Sequence, residues 1–123
     1  LSGHAIECRL YAEKPEKNFI PSSGHLKVLR LPRPSDAIRI EASYTEGDTI
    51  TPFYDPMIAK IITFGGDRSH AIQKMLSALE QCQIEDVATN LALLKAILKD
   101  PAFKDARANT TYLEKNITTL IGL

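Results

Sequence analysis

The chain has 123 residues, enough for one domain with a real hydrophobic core but not for two. Its 15 basic and 15 acidic side chains cancel, so it lacks the electrostatic footprint of a nucleic-acid binder or of a protein drawn to an anionic membrane. No apolar run approaches the roughly 18 residues of a transmembrane helix, and the start shows no signal or transit pattern.

The opening LSGHAIECRLYAE enters a strand pattern at once and without a Met, which reads as a piece of a longer chain. Residues 5–13 alternate: Ile6, Cys8, Leu10 and Ala12 form an apolar face, and Glu7, Arg9 and Tyr11 form the other. KPEKNFIPSSG is a loop anchored by Phe19 and Ile20. Residues 25–31, HLKVLRL, predict a second strand, and LPRPSD carries two prolines that bar it from a sheet centre. IRIEASY, residues 38–44, predicts a third strand with Ile38, Ile40 and Ala42 on one face and Arg39 and Glu41 on the other. TEGDT is a turn, and residues 49–53 are extended, with Pro52 limiting any pairing.

Asp55-Pro56 starts a turn into MIAKIITF, a mostly apolar run rich in β-branched residues. Such continuity predicts a central strand with both faces covered. Lys60 interrupts it, either by laying its stem on apolar surface or by pairing with an acid such as Asp55. After Gly65-Gly66, Asp67 suits a helix N-cap, and Ile72, Met75, Leu76 and Leu79 recur at helical spacing over about four turns. QIEDVA is a short extended link. Thr89 caps a second helix lined by Leu91, Leu94, Ile97 and Leu98, which Asp100-Pro101 stops. Residues 110–116 predict a last short helix. Strands first and helices last is an α+β order: a mostly antiparallel sheet followed by two main helices packed on it.

The usual catalytic constellations are missing. GGDR, residues 65–68, lies between a strand and a helix but lacks the spacing of a phosphate loop. His4, His25 and His70 are far apart in sequence, with no Cys or carboxylate at metal-ligand spacing. No serine stands in a nucleophile elbow. Cys8 and Cys82 lie within apolar-periodic segments and read as reduced, buried thiols of a cytosol-like compartment. The pairs Glu7/Arg9 and Arg39/Glu41 lie two residues apart, about 7 Å along a strand, so cross-strand pairing is the expected use of these charges. The residues alone thus predict an α+β domain without a self-contained active site.

Three stretches go further. GHAIECRLYAEKPEKNFIPSSGHL, YDPMIAKIITFGGDRSHAI and the TN that opens the second helix together resemble the C-terminal domain of biotin carboxylase, the first component of the biotin-dependent acyl-CoA carboxylases and of pyruvate carboxylase. The resemblance runs over nearly the whole of residues 1–123; Lys14 departs from the acid usual in its loop, and the region of Ala108 to Thr111 is variable in that family. It implies an ATP-grasp ligase in which ATP and bicarbonate form carboxyphosphate, which delivers CO2 to N1 of a biotin carried on a separate carrier domain. It also implies a carboxyltransferase component as partner, a homodimer, and a cytoplasmic location, or the mitochondrial matrix in a eukaryote. The nucleotide, the Mg2+ and their acidic ligands are implied to lie upstream, with no metal, ATP or biotin held by this fragment alone.

One catalytic residue transfers by resemblance. Arg39 matches the arginine of the family's R-x-E strand, implied to bind the ureido oxygen of biotin and to stabilise the charge that appears when N1 loses its proton. Glu41 is a candidate support that orients or screens Arg39. Phe64 and Arg68 are candidates for the homodimer interface. The alternative is a non-catalytic interaction or dimerisation module that keeps the same scaffold.

Overall fold

The structure, a computed structural model, describes residues 4–53 and 55–104. The helix predicted over residues 110–116 and Tyr54 of the YDPMIAK stretch lie outside the described residues. In chain order the elements are β1 (His4–Tyr11), β2 (Glu13–Lys14), a 3-10 turn (Pro15–Lys17), β3 (Ile20–Pro21), β4 (Gly24–His25), β5 (Val28–Arg30), β6 (Ile38–Ala42), β7 (Thr49–Ile50), β8 (Met57–Gly65), α1 (Arg68–Glu80), β9 (Gln83–Glu85), α2 (Leu91–Lys99) and α3 (Pro101–Lys104).

The main sheet has three antiparallel strands in the order β1-β8-β6, so MIAKIITF is the central strand as its composition predicts. Its inner face carries Ile6 and Cys8 from β1 and Ile61 from β8, and the apolar side of α1 packs there through Ala71, Ile72, Met75, Ala78 and Leu79. Each fully buried Ile, Leu or Met among them contributes about 1.5–3 kcal/mol over an exposed one. The outer face is not covered as expected: Lys60 and Ile62 are half-buried and Phe64 is 43% exposed. A second buried cluster includes Leu10, Ala12, Leu26, Leu29, Ile50, Ile58 and Val87, and the remaining strands pair in three two-stranded ladders, β2-β3, β4-β7 and β5-β9.

The strand-to-helix corner is tight. A Cβ on Gly65 would stand 2.4 Å from the backbone nitrogen of Ala71, so only glycine lets the first turn of α1 approach this closely. Thr63 donates its hydroxyl to the Ala71 carbonyl at 2.9 Å, which satisfies a buried polar group. Asp67 is the N-cap, its carboxylate accepting from the His70 backbone N–H at 2.8 Å. That hydrogen bond is the main reason its pKa is held below the usual carboxylate range.

Several expected elements differ. The run over residues 25–31 divides into β4 and β5, which pair with different partners, because the chain kinks where Lys27 N–H donates to His25 C=O at 2.9 Å. QIEDVA is more than a link, since β9 pairs with β5. In α2, Leu93 and Leu98 are the buried residues, while Ile97 is half-buried. Asp100 turns extended and Pro101 then opens α3, so the chain stops and restarts rather than leaving helix altogether. Thr89 accepts from Leu91 N–H at 3.3 Å, but Asn90 is the N-cap position, and its side chain serves β1 instead.

Candidate functional site

The register of the main sheet builds the site. Antiparallel pairing places Glu7, Ile62 and Arg39 in one row of the outer face and Arg9, Lys60 and Glu41 in the next. Five charges from three strands therefore share one surface. Glu7 accepts from Arg9 Nε at 2.8 Å, within β1. On β6, Arg39 Nη2 reaches Glu41 Oε1 at 3.4 Å. Both same-strand pairs close because long side chains lean along the strand, which corrects the expectation that the spacing keeps them apart. The cross-strand contact is Lys60 Nζ to Glu41 Oε2 at 3.7 Å. Asp55 is not the acid that meets Lys60: its carboxylate accepts from Met57 N–H at 2.9 Å and its carbonyl accepts from the Tyr44 hydroxyl at 2.7 Å.

Glu41 is thus the only carboxylate in its row, and each of its oxygens faces a different cation. The arginine side chain is 66% exposed, so its planar fork of donors is presented outward from the sheet rather than buried. A guanidinium on an open face can bind a carbonyl-like oxygen and stabilise negative charge that develops on it.

Phe64 and Arg68 lie at the corner between β8 and α1 but behave differently. The Phe64 ring is partly exposed, and its carbonyl accepts from Lys74 Nζ at 2.9 Å. Arg68 turns inward along its own chain. Its Nη2 and Nε donate to the Phe103 carbonyl at 2.6 and 3.1 Å, and its guanidinium carbon lies 4.6 Å from the centre of the Phe103 ring. It ties α3 to the start of α1.

Sequence reasoning missed Asn90. Its Oδ1 accepts from Tyr11 N–H at 2.8 Å, its Nδ2 donates to Arg9 C=O at 3.0 Å, and its own N–H donates to Tyr11 C=O at 3.2 Å. One side-chain amide thus imitates a neighbouring strand and closes the free edge of β1 behind the charged row. The TN that opens the second helix is the available signal, but neither as a helix start nor as part of the resemblance does it point to β1.

Among the described residues no group of three or more His, Cys, Asp or Glu side chains is placed to hold a metal ion. Nor is any described helix long and apolar enough to cross a membrane.

Comparison with known proteins agrees with this geometry. A family model described as the biotin carboxylase C-terminal domain matches residues 7–115. The biotin carboxylase of Halalkalibacterium halodurans is 42% identical over 122 residues, 99% of this chain and 26% of that protein. The human propionyl-CoA carboxylase alpha chain, mitochondrial, is 38% identical over 114 residues, 92% of this chain and 16% of that protein. Among solved structures, the biotin carboxylase domain dimer of Hydrogenobacter thermophilus 2-oxoglutarate carboxylase, in complex with MgADP, ADP and bicarbonate, superposes with a TM-score of 0.91 at 39% identity. That match covers 98% of this chain and 26% of the other. The chain therefore spans about a quarter or less of the length of these relatives. With a family model matching residues 7–115, a biotin carboxylase 42% identical over 122 residues and a shared fold, the chain belongs to the biotin carboxylase C-terminal domain family.

Proposed function

We propose that this chain forms the biotin-binding wall of an ATP-dependent biotin carboxylase within an acyl-CoA carboxylase. The observation that carries the reading is Arg39, whose fork stands on an open sheet face with Glu41 beside it at 3.4 Å. Its partners in the reading are a biotin carrier domain, a carboxyltransferase component and a second copy of the parent. In this reading the nucleotide and Mg2+ are held by the rest of the parent, not by this chain. ATP and bicarbonate supply the activated carboxyl group in the rest of the parent.

The residues here bind and orient. Arg39 donates to the ureido oxygen of biotin and stabilises the negative charge that grows there as the adjacent N–H gives up its proton. Guanidinium suits this work because it stays charged at any working pH and offers parallel donors. Glu41 holds the fork in place. Phe64 contributes exposed apolar surface to the homodimer face, and Arg68 supports that corner through its contacts to Phe103. Free buried thiols at Cys8 and Cys82, and relatives such as the human mitochondrial protein, support a reducing compartment, the cytosol or the mitochondrial matrix.

The test is Arg39→Ala in the full-length parent. One preorganised donor to a developing oxyanion is worth about 2.7–4 kcal/mol, or roughly 10²–10³-fold in rate. Biotin carboxylation is expected to fall by about that factor while the KM for ATP stays within about twofold. Equal losses on the biotin and ATP sides would make the role of Arg39 structural and sink the proposal.

A further inference from the structure

We infer that Lys60 is a positioning residue for the biotin side of the reaction, acting on Arg39 through Glu41. The inference rests on the reading of Arg39 given above and adds to it the device that fixes the guanidinium. Lys60 is the only charged side chain in β8, the middle strand. Its register partners are Arg9 on one side and Glu41 on the other. Arg9 is already engaged by Glu7 at 2.8 Å, so Lys60 meets a like charge on one flank and a carboxylate on the other. Repulsion and attraction therefore push the ammonium the same way, toward Glu41.

Burial separates the two cations that share this carboxylate. The Lys60 side chain is 27% exposed, against 66% for Arg39. Its stem stands between Ile58 and Ile62 on the same strand face, which limits where the ammonium can go. Lys60 is thus the better-anchored cation, and Arg39 the freer one. A carboxylate held by a single partner can rotate with it. Glu41 instead places Oε1 at 3.4 Å from Arg39 and Oε2 at 3.7 Å from Lys60. Swinging Glu41 to follow a wandering Arg39 breaks the Lys60 contact. Lys60 thereby pins the support, and the support pins the fork.

An exposed ion pair is weak in stability, so the expected signature is kinetic rather than thermal. Misplacing a catalytic group by about 1 Å can cost about 10²-fold, and a partly disordered fork should lose about tenfold. The experiment compares Lys60→Met, Lys60→Arg, Glu41→Gln and the Lys60→Met/Glu41→Gln double variant in the full-length parent, with free biotin as substrate. Lys60→Met is expected to lower kcat/KM for biotin about tenfold, with the KM for ATP within about twofold and the melting temperature little changed. Lys60→Arg should restore most of the loss. The double variant should be no worse than Glu41→Gln alone, because both changes remove one relay.

Additive losses in the double variant, a wild-type Lys60→Met, or equal losses on the ATP side would each overturn the inference. Should Lys60→Met fail to fold, Lys60→Gln keeps a stem and a donor but no charge, and the same comparison applies. Arg39→Ala in the same assay separates the two readings. If it is depressed while Lys60→Met is not, only the relay is wrong. If Arg39→Ala matches the wild type, the underlying assignment falls and the relay with it.

Discussion

Cys8 and Cys82 come from distant parts of the chain, β1 and the turn after α1, and meet in one core cluster. Burial pushes the Cys8 thiol from an ordinary 9.0 to about 12, with the nearby Cys82 and Glu7 adding to the effect. Burial likewise raises Cys82 to about 11, and its Sγ donates to Ala78 C=O at 3.6 Å. Both thiols are thus held in the unreactive protonated form. Iodoacetamide at pH 8 should label them at least about tenfold more slowly in the native protein than in denaturant, read site by site by mass spectrometry. Rapid native labelling of either would refute their placement in the core. The linked effect on stability has a definite sign. The raised thiols keep protons that the unfolded chain releases, so their contribution is complete below about pH 9 and is lost as pH rises toward 12. At this scale the sequence was informative about burial and uninformative about partners. Alternation put Cys8 on the apolar face and Arg39 on the polar one, as observed. It could not show that Lys60 meets Glu41, because a contact between residues 60 and 41 is decided by strand register, which no local pattern encodes.

Elements show the same divide between what is local and what is not. The central strand, the first helix and the Asp67 cap were legible because composition, 3.6-residue periodicity and cap chemistry are local signals. The division of residues 25–31 was not, since an alternating run does not say which strand will pair with which half. Asn90 is the sharpest case. Its sequence neighbours mark it as opening a helix, but its amide closes the edge of β1, 79 and 81 positions away. Asn90→Ala would leave Tyr11 N–H and Arg9 C=O without these partners in a part-buried place. Loss of such bonds costs about 1–3 kcal/mol. Urea unfolding followed by circular dichroism should show a lower midpoint with an unchanged slope, and Asn90→Asp, which keeps the acceptor but not the donor, should fall between. A midpoint for Asn90→Ala within error of the wild type would show that the edge closure contributes nothing.

At the scale of the whole molecule, the fold has one finished side and one unfinished side. Helix α1 seals the inner face of the main sheet, while five charges, half-buried Ile62 and exposed Phe64 occupy the outer one. Under the proposed function this outer face is one wall of a catalytic cleft, and such a cleft needs a second wall to exclude water and to make a positioned guanidinium strong, since the same charge facing bulk solvent is screened and worth far less. The chain spans only 26% of the length of the Halalkalibacterium halodurans biotin carboxylase, which leaves most of such a protein to supply that wall. The isolated chain should therefore fold, with the far-ultraviolet signature of its strands and helices, yet show no bicarbonate-dependent ATP turnover at any biotin concentration. Phosphate release above a no-protein blank, abolished in an Arg39→Ala version of the same chain, would contradict this. It would mean that the outer face is a complete active site, against the proposed function.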